Sequence, residues 1–211
     1  MDEEQYSKDG KFYDRPTHIL DYYKPPELVA WLIRTPASDV RKISRLALKH
    51  GKHIDELIRT NKAPKKSDSL EVKNCHKAWL KWKDDFMVKD EDLEFPETFY
   101  DEGNMLAGTP DIYWKPKKIM IDVKSSKSLH EGYYLQVGGF YSRHPNYEVE
   151  EVAILRLDKE LAEYEMTTNT KLKLTLEELR ASFDGLVSYY RGYKRVQSTF
   201  DPKERVYDGT V

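Results

Sequence analysis

A chain of 211 residues is long enough for one well-filled hydrophobic core and short for two. With 39% hydrophobic and 34% charged residues it reads as a soluble chain, and no run approaches the roughly 20 apolar residues of a membrane span. A net charge of −2 excludes a uniformly basic surface, so any nucleic-acid partner must meet basic residues gathered locally.

The acidic, polar start MDEEQYSKDGK lacks the apolar centre of a signal peptide, and the one cysteine, Cys75, allows neither an internal disulfide nor a cysteine-based metal cluster. A reducing cytoplasm is the expected compartment. Residues 1–14 read as a polar, frayed tail. From Pro16 to about Phe86 the spacing is helical: Val29, Leu32 and Ile33 share a face, and Ile43, Leu46, Ala47, Ile54, Leu57 and Ile58 continue the period. NKAPKKSDS, residues 61–69, is a basic loop rich in helix breakers. Ser67, Asp68 and Ser69 then offer caps for a helix running to Phe86, with Leu70, Cys75, Trp79, Trp82 and Phe86 inward.

Short apolar segments follow at Phe95–Tyr100, Leu106–Trp114 and Lys118–Lys124, separated by the turn-like DEGN and KPKK. Residues 130–143 read as a helix that Gly138 and Gly139 weaken, and Glu151–Leu157 and Leu161–Thr167 as two further strands. Thr175 and Glu178 have capping-box spacing ahead of a final helix to about Val196. The order predicts one α+β domain, residues 15–211, with a helical lobe over 15–90 and an αβ core over 91–200.

The chemistry concentrates in LAGTPDIYWKPKKIMIDVKSSK, residues 106–127. Alternation places Asp122 and Lys124 on one face of their strand. A hairpin through WKPKK brings Asp111 opposite Asp122. Facing carboxylates repel and call for a hard divalent cation with oxygen ligands, Mg²⁺ or Mn²⁺, which can activate water and stabilise charge on a phosphate. A lysine two residues on can orient that water or neutralise the phosphate. An exposed aspartate–lysine pair would explain a lone D-x-K. Here the apolar neighbours Ile112, Ile119, Ile121 and Val123 mark the strands as central, where charge needs a partner or a metal.

GTPD followed by IDVKSSK resembles the signature of PD-(D/E)xK nucleases, in the variant of the RecB-like and lambda-exonuclease-like branch. RPTHILDYYKPPELVAWL resembles the N-terminal segment of small phage and bacterial RecB-like proteins, and LALKHGKHIDELI their first helical motif. Glu97 in FPETFY matches the acidic residue of the preceding strand, and YYLQVGGFY the helix that begins with a glutamine. The match spans roughly residues 15–145. It implies a restriction-endonuclease-like core, a central mixed sheet flanked by helices, and a DNA nuclease. Asp111 and Asp122 would be metal ligands, the Val123 carbonyl a third and His53 a fourth, with Lys124 as the catalytic lysine. Gln136 would contact DNA or brace the site, and Glu97 would bind metal or water or be an ordinary exposed strand residue. His50 and His76 are rivals to His53. Where the family has a tyrosine four positions after the glutamine, this chain has Phe140, with Tyr141 next.

An exonuclease or end-processing enzyme in phage or bacterial recombination, repair or replication is expected, in the bacterial host cytoplasm if phage-encoded. Alternatives are a structure-specific or nicking endonuclease and a non-catalytic DNA-binding subunit, the latter opposed by the intact Asp–Asp–Lys set. Single- or double-stranded DNA stays open. The chain has no P-loop, so unwinding would fall to a helicase or recombination partner. Lys62, Lys65 and Lys66, Lys115, Lys117 and Lys118, Lys124 and Lys127, and Arg191, Lys194 and Arg195 form local clusters. Each alone is solvated charge, and together they permit a basic track.

Overall fold

The structure, a computed structural model, describes residues 6–23 and 26–200. Of the expected tail, residues 1–5 lie outside it, but residues 6–14 are ordered into the fold. Strands β1 (Tyr6–Lys8) and β2 (Lys11–Tyr13) pair antiparallel around Asp9–Gly10. Both turn residues have positive φ, 51° and 75°, as a tight two-residue hairpin turn requires. Tyr13 is 1% exposed, its ring 5.0 Å from that of Tyr100, and Asp14 exchanges backbone hydrogen bonds with Met105 and Ala107. A buried aromatic and a paired backbone anchor the segment that composition read as tail.

Helices α1 (Pro16–Leu20), α2 (Pro26–Arg34), α3 (Ala37–Thr60) and α4 (Leu70–Asp85) follow. Ser69 caps α4, accepting from the Val72 amide. Cys75, Trp79 and Trp82 are buried as expected, whereas Leu70 and Phe86, at the helix ends, are exposed. Only the last turns of α3 bury their apolar face, at Ile54, Leu57 and Ile58. Ile43 and Leu46 are about half exposed.

The main sheet has five strands in the order β3 (Leu93–Glu94), β6 (Ile112–Trp114), β7 (Ile119–Lys124), β8 (Glu151–Leu157), β9 (Tyr164–Thr168). All neighbours run antiparallel except β7 and β8, which are parallel. This is a mixed α/β architecture with a mixed sheet and six helices among the described residues. A separate hairpin, β4 (Phe99–Asp101) with β5 (Leu106–Gly108), takes up the first two expected strands. The long strand expected over 106–114 is broken at Thr109–Pro110–Asp111, because proline has no N–H to continue a ladder.

The β7–β8 crossover contains α5 (Glu131–Tyr134), which widens into a π-helical turn over Leu135–Phe140 and tightens over Tyr141–Arg143. Gly138 and Gly139 let this segment lie against α6 (Leu176–Phe200). A Cβ on either would stand 2.3 Å from Leu179 or Phe183. The glycines that weaken the helix locally are what let it pack. Thr175 and Glu178 close the expected capping box at the start of α6.

Period-two alternation gives the sheet two buried faces. Ile112, Trp114, Ile119, Ile121, Ala153, Leu155 and Leu157 pack with α3 and α4. Tyr113, Met120, Val152 and Ile154 pack with α1, the α5 segment and α6. Among the described residues no helix is long and apolar enough to cross a membrane.

Candidate active site

The last paired residues of β6 and β7 are Ile112 and Ile121, so one step further along the ladder Asp111 comes level with Asp122. Both belong to the face of Tyr113 and Met120, and Lys124 follows on the same side of β7. The expected juxtaposition is therefore present, although Asp111 sits at the strand break and not within a strand. The pair lies toward the carboxyl end of β7, the end at which open α/β sheets place ligands.

The Val123 amide donates to Asp111 Oδ2 at 2.7 Å, which fixes that carboxylate. Lys124 Nζ donates to Asp122 Oδ1 at 3.0 Å and lies 2.8 Å from Oδ2. Yet Asp122 Oδ2 is buried and accepts no well-directed hydrogen bond. The Asp122 side chain is 3% exposed, against 25% for Asp111. Burial first, and then the charge of Asp122, pushes the Asp111 carboxyl up to about 7. Burial likewise raises Asp122, against the pull of Lys124. Burial alone would lower the Lys124 ammonium, but the two carboxylates outweigh it and hold it above the usual lysine range. The lysine is a fixed positive charge.

A cleft of about 1080 Å³ opens over Asp111, Val123 and Lys124, walled by α3 on one side and the α5 segment on the other, with Asp122 enclosed beside it. The α3 wall carries residues that spacing did not single out. Arg59 binds Asp55 through Nε at 2.8 Å, donates to the Pro110 carbonyl at 3.1 Å and comes within 3.9 Å of Asp111 Oδ1. Their i, i+4 spacing, with Gly51 one turn earlier, was the available signal.

His53 is not on this wall. Two residues from Asp55 is about 200° around a helix, which turns His53 toward the start of α4. Its Nε2 lies 3.2 Å from Asp68 Oδ2 and its Nδ1 3.6 Å from Glu56 Oε2. The structure thus corrects the expectation that His53 joins the aspartates. Of its rivals, His50 lines the cleft, while His76, on α4, does not. Among the described residues no three His, Cys, Asp or Glu side chains converge to hold a metal. What the fold does assemble is a carboxylate pair in which the charge of Asp122 disfavours ionisation of Asp111, with the Lys124 ammonium held against Asp122.

Gln136 is buried and lines the cleft, its amide donating to the Tyr141 hydroxyl at 3.2 Å. Burial raises the Tyr141 phenol far above its ordinary range, so it stays neutral. The Tyr141 ring occupies the space over Gly108, where a Cβ would be 2.8 Å away. Glu97 is exposed, in the connection between β3 and β4, and its carbonyl is 3.4 Å from His144 Nε2. It lies neither on a strand nor on the cleft. Two residues that sequence gave no reason to choose, His130 and Tyr133, stand beside Lys124, whose Nζ is 5.0 Å from the Tyr133 ring centre. No protein-family model matches this chain, and no curated protein matches it in sequence.

Proposed function

We propose that the chain is a divalent-metal-dependent DNA nuclease with a restriction-endonuclease-like core of the PD-(D/E)xK kind, most simply an exonuclease or end-processing enzyme. The observation that carries this reading is Asp111 level with Asp122 across β6 and β7, with Lys124 bonded to Asp122 on the same face. Two adjacent carboxylates with raised proton affinity, Asp122 buried and Asp111 partly open to the cleft, fit a hard cation, Mg²⁺ or Mn²⁺, for which the Val123 carbonyl would offer a further oxygen. Such an ion supplies a bound water acidic enough to attack and a positive charge on the phosphate. Asp111 and Asp122 would hold it, and the Val123 amide keeps Asp111 from turning away. The Lys124 ammonium stays charged and donates to a non-bridging oxygen of the scissile phosphate, where negative charge builds during in-line attack. Gln136, tied to the neutral Tyr141, sets the far wall against which the strand lies.

Incubating the protein with linear and closed circular DNA, with Mg²⁺ or Mn²⁺ and with EDTA, tests the proposal. Linear DNA should be degraded only with metal, and Asp122→Asn should lose about three or more orders of magnitude while remaining folded. Cleavage that persists in EDTA overturns the metal reading, and cutting of closed circles moves it to an endonuclease.

A further inference from the structure

Tyr133 and His130 lie against each other with ring centres 3.7 Å apart and planes 38° apart, directly beside the catalytic lysine. Tyr133 is half-buried and lines two adjoining clefts, the one over Asp111 and a second of about 840 Å³. The two share Thr17, Ser126, Tyr133 and Gln136, so they form one trough. Its halves differ in chemistry. The first carries the ammonium groups of Lys52, Lys124, Lys127 and Lys159 beside the carboxylates of Asp55, Glu71 and Asp111, of which Asp55 is paired with Arg59. The second is walled by His130, Tyr133, Leu20, Leu28 and Leu129, together with Asp21 and with Glu131, which accepts from the Tyr23 hydroxyl. A lysine-lined half that opens on aromatic and aliphatic side chains matches a polymer with charge on one edge and flat apolar rings on the other.

Resting on the nuclease reading above, we infer that the trough takes a single DNA strand, with its phosphates along the lysines and an unpaired base stacked on the Tyr133–His130 shelf. In a duplex every base already has both faces covered by its neighbours, so only a strand freed of its complement can offer one to the shelf. Depth argues the same way. Asp122 is only 3% exposed next to Asp111 and Lys124, which line the trough, and a duplex is far broader than one strand. Stacking tolerates any base, so the expected preference is for strandedness and not for sequence.

The test is fluorescence anisotropy on the full chain in EDTA, with a labelled oligonucleotide as single strand and as blunt duplex. It is paired with Mg²⁺-dependent degradation of the same two substrates. Single strand should bind at least tenfold more tightly and be degraded faster. Tyr133→Ala should lose about 5- to 150-fold in single-strand binding, the range of one base–aromatic stack. Tyr133→Phe should keep it, and thermal melts of both variants show whether the fold is intact. An abasic strand should bind wild type as weakly as the intact strand binds Tyr133→Ala. Equal binding and degradation of duplex and single strand, or no effect of Tyr133→Ala, overturns the inference and leaves the nuclease reading standing. No binding and no metal-dependent degradation of either substrate overturns both.

Discussion

The two faces of β7 are both buried, but they are built to opposite ends. On one, Ile119 and Ile121 are apolar and packed between α3, α4 and the neighbouring strands. On the other, Met120 begins in the same way, and the strand then turns to Asp122 and Lys124 with Asp111 alongside. The first face lowers the free energy of the fold. The second carries charges whose burial raises it, and a chain keeps such charges where they are used. Substitutions on the two faces should therefore move stability in opposite directions.

The largest effect is expected on the apolar face. Ile121 is fully buried, and Ile121→Ala should cost about 2–5 kcal/mol in urea unfolding through lost transfer energy and the cavity left behind. Substitution on the charged face should do the reverse. Asp111→Asn keeps an oxygen for the Val123 amide and leaves the Lys124–Asp122 pair intact, while removing the repulsion between carboxylates. The unfolded Asp111 titrates near about 3.9. The folded residue holds its proton to about 7, so its stabilising contribution is complete at low pH and is lost as pH rises through about 7. In EDTA at about pH 8, Asp111→Asn should thus be about 1–3 kcal/mol more stable than wild type, an advantage that vanishes near about pH 4. A variant less stable than wild type at both pH values would mean that the aspartate is structural and the two faces are not opposed.

What the sequence disclosed and withheld divides along the same line. The β6–β7 hairpin is local: alternation and a short turn put Asp111, Asp122 and Lys124 together, and the Ser69 cap, the Thr175–Glu178 capping box and the buried Cys75, Trp79 and Trp82 of α4 are equally local. His53 depended on which flank of α3 faces the sheet, and that is fixed by Asp68 and Arg59, whose partners lie elsewhere in the chain. The expected strand over 106–114 ignored Pro110, although a proline there was a visible reason to break it. The Asp9–Gly10 turn was also legible, but three-residue strands are too short for a period, and the burial of Tyr13 depends on Tyr100. Tyr133 and His130 carry no motif. Only the turn of the chain after β7 sets them against Lys124.

The central claim is that the charged face of β7 holds a divalent ion. A crystal soaked in Mn²⁺ and measured at the manganese absorption edge tests it most directly. The account predicts an anomalous peak between Asp111 and Asp122, within about 2.0–2.3 Å of a carboxylate oxygen of each, with His53 still turned toward Asp68. No peak at that position at saturating Mn²⁺, or a peak held by His53 away from the two aspartates, would contradict it.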